Sequence, residues 1–328
     1  MPPTKPVPMI IDTDCGIDDA VALWWAALSP DVELLGVTTV HGNVTVSDAA
    51  VNTCRIMDAS GRSDVEVTIG AAASWGPAPP LRRADFIHGA DGIANLGWPA
   101  PPISPTNEHS IDMLRRIVDG RPGEVTIVTL GPMANIAAVV DADPSWPSRV
   151  KRLVVMGGTV LSPGNAMPTG EANIANDPFA AQISLSADWR EPPLMVGLDI
   201  TQAATLTLDE IALAREHRTP AAEYLAELLA FYQPFGGTFC APGAFPCHDA
   251  LATMLAVFPE RATGSVLPTA VETGSGPAQG MTVVDRRQPF FAKSGQAQAM
   301  PPGFYPVEVL FEVDAAWFRS EVRALLGD

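Results

Sequence analysis

The sequence predicts a single α/β domain with a mostly parallel central sheet and helices on both faces. Apolar runs typical of buried strands alternate with segments of helical periodicity over the first 200 residues. The chain has 328 residues, of which 47% are hydrophobic, so it can bury a large core in one domain. Beyond residue 200 mainly helical segments follow, which indicates extra C-terminal helices on the same domain 1–328.

The elements follow in order along the chain. The apolar runs that predict strands are 7–12, 33–40, 65–70, 124–130, 150–158 and 193–200. The helices predicted between them are 18–28, 47–59, 107–118, 132–140 and 177–187. The later part of the chain predicts helices at 207–217, 220–233 and 248–257, strands near 265–272, 280–285 and 306–313, and a last helix from about Asp314.

Two stretches rich in proline and glycine interrupt this pattern, at 74–102 and 234–247. Long loops inside a compact domain are usually functional or disordered. We therefore predict that both are flexible loops that cover a substrate.

The composition argues against several classes of partner. With a net charge of −17 and only 20 basic residues, the chain is not expected to bind nucleic acid or an anionic membrane surface. The four cysteines lack a CxxC pair, which favours free thiols in a reducing compartment. The N-terminal MPPTKPVP does not resemble a signal peptide, and no apolar run is long enough to span a bilayer. These features predict a cytoplasmic protein.

The most informative segment is IIDTDCGIDDA at residues 10–20, where a predicted strand runs into Asp12, Asp14, Asp18 and Asp19. In open parallel sheets, ligands bind at the carboxyl ends of the strands. Four carboxylates buried together would repel one another unless a cation is bound, and ligands made only of oxygen favour Ca²⁺ or Mg²⁺. The segment therefore predicts a site for a hard divalent metal.

Two other interpretations of this segment remain. Asp18 and Asp19 could simply favour the first turn of a helix through its dipole. A DxD pair after a first strand also occurs in phosphatases, although these need a downstream lysine and further acidic partners that we do not find in suitable places.

The segment DTDCGIDDA resembles the amino-terminal motif of the inosine-uridine preferring nucleoside hydrolase family, in a form that carries cysteine. Four further segments resemble the family and occur in its order along the chain. They are HGN at 41–43, TLGPMANIA at 129–137, MGG with GNAMPTGEANIANDP within 156–178, and HDA at 248–250. The resemblance covers nearly the whole chain and implies a Rossmann-like nucleoside hydrolase fold.

The resemblance implies a Ca²⁺ cofactor and a ribonucleoside substrate. Asp14, Asp19 and Asp249 are expected to bind the metal through carboxylate oxygens, together with the main-chain carbonyl of Leu130. Asp18 is expected to accept a hydrogen bond from the ribose 2′-hydroxyl.

A second group of residues is expected to bind the sugar hydroxyls, which need several convergent amide and carboxylate groups. By resemblance these are Asn43, Asn165, Glu171 and Asn173. His88, in HGADG, resembles a residue of the family's loop over the pocket and is expected to contact the sugar or the base.

The implied reaction is hydrolysis of the N-glycosidic bond through an oxocarbenium-like transition state. Water bound to calcium would attack, with Asp14 as the general base. His248 is the expected general acid for the leaving base, because histidine titrates near neutral pH. Aromatic residues near the loops are further candidates to stack on a base: Trp75, Phe231, Tyr232, Phe235 and Phe239.

Two positions depart from the family pattern. Cys15 replaces a common proline, and nearby negative charge makes it a poor nucleophile. Ala172 stands where a bulky residue often contacts the ribose, so the pocket there is expected to be reshaped.

Several alternatives stay open at this stage. The chain could be a hydrolase of another N-riboside, or a calcium-dependent nucleoside or ribose-binding protein without turnover, although such a protein has no reason to keep His248. The sequence does not indicate a preference for purines or pyrimidines. A homodimer or homotetramer is expected from the resemblance alone.

Overall fold

The computed structural model of the chain describes residues 5–77, 81, 83–236, 240–288, 290, 293 and 299–327. The main sheet of this part of the chain has nine strands, and a second sheet has two. In chain order the strands are β1 (Val7–Thr13), β2 (Val32–Thr39), β3 (Val67–Ile69), β4 (Thr126–Thr129), β5 (Arg152–Met156), β6 (Leu194–Val196), β7 (Thr205–Leu206), β8 (Phe245–Pro246), β9 (Ala262–Val271), β10 (Thr282–Val284) and β11 (Tyr305–Val313).

The order of strands in the main sheet is β10-β9-β11-β6-β5-β4-β1-β2-β3. From β3 to β11 every neighbouring pair is parallel, whereas β9 pairs antiparallel with both β11 and β10. This confirms the predicted α/β fold with a mostly parallel sheet. Because β1 lies inside the sheet between β4 and β2, the acidic segment that follows it is surrounded by the carboxyl ends of other strands.

Helices cover the sheet, and most of them match the predicted segments. In chain order they are α1 (Ile17–Leu28), α2 (Val46–Ala59), α3 (Asp85–His88), α4 (Ser110–Gly120), α5 (Ala134–Ala142), α6 (Ala172–Asn176), α7 (Pro178–Ser186), α8 (Leu198–Thr201), α9 (Leu208–His217), α10 (Pro220–Gly236), α11 (His248–Val257) and α12 (Ala315–Leu326). Two short 3-10 helices are Trp146–Arg149 and Pro259–Arg261.

The core is divided by the sheet into two apolar clusters. Strand β1 contributes to both, since Met9 and Ile11 belong to one cluster and Ile10 to the other. Side chains alternate between the two faces of a strand, so a strand that is apolar throughout must be covered on both sides. Helices α1, α10 and α11 pack in the first cluster, and α5 and α7 in the second.

Helix α1 begins directly at the carboxyl edge of the sheet. Gly16 is its N-cap residue, and the Gly16 N–H donates to Asp19 Oδ2 over 2.7 Å. A carboxylate in the first turn satisfies a free N–H group and interacts favourably with the helix dipole. Most of the helix is apolar and buried, which fixes Asp18 and Asp19 at the edge of the sheet.

Two predicted boundaries were wrong, and one predicted loop contains a short helix. The run 193–200 is not one strand, because β6 ends at Val196 and α8 begins after Gly197. Helix α10 extends through Pro234 to Gly236, so it includes the start of the predicted loop 234–247; residues 237–239 lie outside the described part. The predicted loop 74–102 contains the short helix α3.

The three C-terminal strands extend the main sheet, while α9, α10 and α12 form the helical layer expected there. Among the described helices, none combines the length and the apolar character that crossing a bilayer requires.

Candidate active site

The acidic loop after β1 has a strained backbone held by local hydrogen bonds. Cys15 has φ of 43°, in the left-handed region that residues with a side chain rarely adopt. The Thr13 hydroxyl accepts the Cys15 N–H at 3.0 Å and donates to Asp19. Asp14, Asp18 and Asp19 all lie buried around this turn.

Three of the carboxylates converge on one point. One oxygen each from Asp18, Asp19 and Asp249 lies within 4.8 Å of the others, and all three residues are buried. Burial, with the Asp19 charge, raises the pKa of Asp18 to about 7. Burial, with the charges of Asp18 and Asp19, raises the pKa of Asp249 well above its usual range. A cluster that resists ionisation in this way is stabilised by a bound cation.

Asp14 lies beside this cluster and is oriented by the HGN segment. The Asn43 N–H donates to Asp14 Oδ2 at 2.7 Å, and Asn43 Nδ2 donates to Asp14 Oδ1 at 3.0 Å. A Cβ atom at Gly42 would lie 1.9 Å from Asp14 Oδ2, so this approach requires glycine. Burial, followed by the charge of Asp19, raises the pKa of Asp14 well above its ordinary value.

The Leu130 carbonyl lies at the carboxyl edge of β4 and faces Asn173. Asn173 Nδ2 donates to this carbonyl at 2.8 Å and to the carbonyl of Met156, the last residue of β5, at 3.2 Å. The amide of Asn173 therefore joins the ends of two neighbouring strands next to the acidic cluster.

Glu171 is the N-cap of α6 and is almost fully buried, at 1% exposure. Its carboxylate accepts N–H groups from Asn173 at 2.9 Å, Ile174 at 3.1 Å and Gly158 at 3.1 Å. Burial raises its pKa to about 7, although these hydrogen bonds lower it. Asn165 is exposed, and its side-chain oxygen accepts the Ala172 N–H at 2.9 Å.

A cavity of about 480 Å³ opens over these groups. This volume is in the range of small-molecule sites. Asp14 and Asp19 do not line the cavity. Asp14 contacts Asn43, and Asp19 contacts Asp249; both of these partners line the cavity. The other predicted site residues all line the cavity: Asp18, Asn43, His88, Leu130, Asn165, Glu171, Asn173, His248 and Asp249.

The two histidines of the cavity have one ring nitrogen each in a hydrogen bond. His88 Nδ1 accepts the Ile17 N–H at 3.1 Å, and His248 Nδ1 lies 2.7 Å from Thr201 Oγ1. Burial lowers the pKa of His88 to about 3 and that of His248 to about 4. The sequence predicted that His248 would titrate near neutral pH. Burial instead keeps the ring neutral at that pH.

The chain resembles known proteins over nearly its whole length. Residues 9–320 match the family model described as inosine-uridine preferring nucleoside hydrolase. The chain belongs to this family. The "Probable uridine nucleosidase 1" of Oryza sativa subsp. japonica is 33% identical over 318 residues, covering 97% of this chain and 96% of the relative. The "Pyrimidine-specific ribonucleoside hydrolase RihA" of Klebsiella pneumoniae is 34% identical over 282 residues, covering 85% and 88%.

Solved structures of nucleoside hydrolases have the same fold. A plant nucleoside hydrolase has a TM-score of 0.89 and 33% identity, covering 98% of this chain and 99% of its own. The purine-preferring ribonucleoside hydrolase from Gardnerella vaginalis has a TM-score of 0.85 and 30% identity, covering 97% and 98%. This chain is therefore an enzyme of the nucleoside hydrolase class.

The cysteine of the first motif does not line the cavity of this nucleoside hydrolase. Cys15 is fully buried, and burial, followed by the charge of Asp19, raises the pKa of its thiol well above the ordinary value. The thiol therefore stays protonated. Ala172 does line the cavity, as the family pattern suggested.

Aromatic rings form part of the cavity wall. The rings of Phe86, in α3, and Phe235, in α10, meet edge to face with centroids 6.1 Å apart. Tyr232 stacks on His88 with centroids 5.7 Å apart. Of the aromatic candidates from the sequence, Tyr232 and Phe235 line the cavity, Trp75 and Phe231 do not, and Phe239 lies outside the described residues.

The second half of the segment 74–102 is anchored to the body of the protein. Asn52 Nδ2 donates to the Asp91 carbonyl at 2.7 Å, and Arg55 Nε donates to the Pro99 carbonyl at 3.1 Å. The rings of Trp98 and Tyr224 lie 3.8 Å apart. Closure of this segment over a substrate stays a prediction.

Two residues of α8 organise the site and were not predicted from the sequence. Thr201 contacts His248, and the Asp199 carboxylate accepts the N–H groups of Val160, Leu161 and Ser162 at 2.8, 2.6 and 2.9 Å. The sequence offers one signal for these residues, namely that they follow a parallel strand, where ligands bind. Because 193–200 was assigned to one strand, the residues after Val196 were not recognised as lying at the carboxyl edge of the sheet.

Proposed function

We propose that this enzyme hydrolyses the N-glycosidic bond of ribonucleosides to ribose and a free base, with calcium as its metal. The observation that carries the proposal is the buried cluster Asp18, Asp19 and Asp249, which borders the cavity that Asn165 and Glu171 also line. A cation site next to several convergent polar groups suits an uncharged, hydroxyl-rich ligand.

The donor set fits a hard divalent cation. Following the family resemblance, we infer that Asp14, Asp19, Asp249 and the Leu130 carbonyl would hold it, since all are oxygen donors and the carboxylates are buried with raised pKa values. Asp18, the remaining member of the converging cluster, would then face the ribose. Zinc prefers nitrogen and sulfur ligands, and Cys15, the nearest thiol in sequence, does not reach the cavity. Bound calcium would fix a water molecule beside the ribose and lower the pKa of that water.

Asp14 serves as the general base in this proposal. Its two oxygens are oriented by Asn43, and the desolvation that raises its pKa strengthens its affinity for a proton. It takes a proton from the water that attacks C1′ of the ribose.

The sugar is held by the polar groups of the cavity wall. Asp18, Asn165, Glu171 and Asn173 supply the carboxylates and amides that ribose hydroxyls require, with Asn43 nearby. As the glycosidic bond breaks, positive charge develops on the ribose ring, and the surrounding carboxylates stabilise that charge.

His248 assists the departure of the base. Since burial lowers its pKa to about 4, the ring is neutral at pH 7 and acts as a hydrogen-bond donor to the leaving nitrogen. The electron pair of the broken bond stays on the base, and the hydrogen bond stabilises the resulting negative charge. His88 lines the same cavity and is proposed to contact the sugar or the base.

The names of relatives suggest which substrate to test first. Relatives from Oryza sativa and Klebsiella pneumoniae are called a probable uridine nucleosidase and a pyrimidine-specific hydrolase, whereas the Gardnerella vaginalis structure is called purine-preferring. We infer uridine as the first substrate and inosine as its purine counterpart. Cytoplasmic localisation and assembly as a homodimer or homotetramer stay predictions.

The test is release of reducing sugar from uridine, inosine, adenosine, guanosine and cytidine. Activity should be lost on treatment with EDTA, return with calcium, and fall by at least about 100-fold in Asp14→Ala. A matched control is Asp112→Ala, on α4 away from the cavity. Binding of calcium and ribose without turnover of any nucleoside would contradict the proposal and favour a binding protein or a hydrolase of another N-riboside.

A further inference from the structure

Thr201 is a buried polar residue that lies outside the five segments by which the sequence resembles the family. It is the last residue of α8, has no exposed surface, and its Oγ1 atom lies 2.7 Å from His248 Nδ1. The two residues are 47 positions apart in the sequence, so only the fold brings them together.

The hydrogen-bond partners of Thr201 Oγ1 determine whether this atom or His248 Nδ1 donates the proton of their hydrogen bond. In the described part of the chain, Thr201 Oγ1 has no hydrogen-bond partner other than His248 Nδ1. If Nδ1 donated, the buried hydroxyl proton would have no acceptor, which is strongly disfavoured. If the hydroxyl donates, both groups are satisfied. The threonine O–H therefore donates, and Nδ1 carries no proton.

This assignment fixes the tautomer of His248. A neutral imidazole without a proton on Nδ1 carries it on Nε2. The residue lines the cavity, and Nε2 has no partner among the described residues. The ring thus presents an N–H donor, and not a lone pair, on the side that remains free.

The threonine itself is held in place by its helix. The Thr201 N–H donates to the Gly197 carbonyl at 3.2 Å, and the neighbouring Asp199 is fixed by three backbone N–H groups. These contacts fix the backbone from which the hydroxyl reaches His248.

We propose that Thr201 is a positioning residue that holds His248 in the Nε2–H tautomer, so that the ring can donate a hydrogen bond to the departing base. This inference rests on the proposed function. In the step, the bond from C1′ to the base nitrogen breaks, its electron pair goes to the base, and Nε2–H hydrogen-bonds to that nitrogen. The attacking water gives its proton to Asp14.

The experiment compares Thr201→Val, which has nearly the same shape without the hydroxyl, with Thr201→Ser, which keeps it. Each variant is assayed on uridine and inosine, and on 4-nitrophenyl β-D-ribofuranoside, whose leaving group delocalises its own negative charge. We expect kcat of Thr201→Val to fall about 10- to 100-fold on the nucleosides with little change in KM, because the leaving-group donor is lost. Thr201→Ser should recover most of this loss.

On 4-nitrophenyl β-D-ribofuranoside, Thr201→Val should fall by no more than about threefold, since departure needs little help. Equal losses of Thr201→Val on both kinds of substrate would overturn the proposal in favour of a purely structural role, and so would unchanged activity on the nucleosides.

A spectroscopic measurement covers the remaining outcomes. In wild-type protein with ¹⁵N-labelled histidine, assigned with His248→Asn, the His248 shifts should be those of a protonated Nε2 and an unprotonated Nδ1. The opposite tautomer would overturn the proposal even if Thr201→Val does not fold. If the wild type cleaves neither kind of substrate, the proposed function fails, and the tautomer is still decided by these shifts.

Discussion

Glu171→Gln is expected to change how the stability of the protein depends on pH. The Glu171 carboxylate is buried and accepts three backbone N–H groups, and its pKa rises from 4.5 to about 7 through burial. Glutamine has nearly the same shape and keeps an acceptor oxygen, but it does not titrate. The difference between the two proteins therefore isolates the ionisation of one carboxyl group.

The sign follows from the two pKa values. Between pH 4.5 and about 7, the unfolded chain has released the proton of Glu171 whereas the folded protein still holds it. The wild type therefore loses stability relative to Glu171→Gln as the pH rises through this range, and the difference is constant above and below it. At about 1.4 kcal/mol for each pKa unit, the rise from 4.5 to about 7 corresponds to a loss of about 3.5 kcal/mol.

Urea unfolding in EDTA, from pH 4.5 to 8, measures this difference. A matched control is Glu223→Gln, which removes an exposed carboxylate from α10. A stability difference between wild type and Glu171→Gln that stays constant over the whole range would refute the reasoning, because it would mean that the buried carboxyl ionises as in the unfolded chain.

Other substitutions test single contacts of the site. Asn43→Ala removes the Nδ2 donor of Asp14, and kcat/KM should fall about 10- to 100-fold, since a hydrogen bond to a charged group is worth about 1.5–3 kcal/mol. An unchanged value in steady-state assays would contradict the assigned orientation of Asp14. Asp199→Ala removes an acceptor of three N–H groups and should lower the free energy of unfolding by about 2–3 kcal/mol in urea, whereas no loss would mean that water replaces the carboxylate. His88→Asn keeps an acceptor near the position of Nδ1 for the Ile17 N–H, whereas His88→Gln does not, so thermal unfolding should show the glutamine variant less stable by about 1 kcal/mol. Equal melting temperatures of the two His88 variants would count against that hydrogen bond.

The sequence was sufficient for the fold class and for the approximate position of the site. The uninterrupted apolar run that ends at Asp12 requires cover on both faces, and this identifies β1 as an inner strand. The acidic residues after it then had to lie at the carboxyl edge of the sheet. Motif order along the chain predicted which distant residues, such as Asp249, would join them.

Other features of the site depend on contacts that periodicity does not encode. The apolar character of 193–200 continues from β6 into α8, so the end of the strand at Val196 was not visible, and Thr201 and Asp199 were missed. The pKa of His248 depends on burial by segments far away in the sequence. Its expected titration near neutral pH therefore differs from the value of about 4 that burial produces.

A crystal structure of the protein with calcium and ribose tests the proposed metal site most directly. We expect one ion at about 2.3–2.6 Å from carboxylate oxygens of Asp14, Asp19 and Asp249 and from the Leu130 carbonyl, with ribose hydroxyls beside it. Ribose bound in the cavity without an ion at these carboxylates, or an ion bound at other residues, would contradict the central claim.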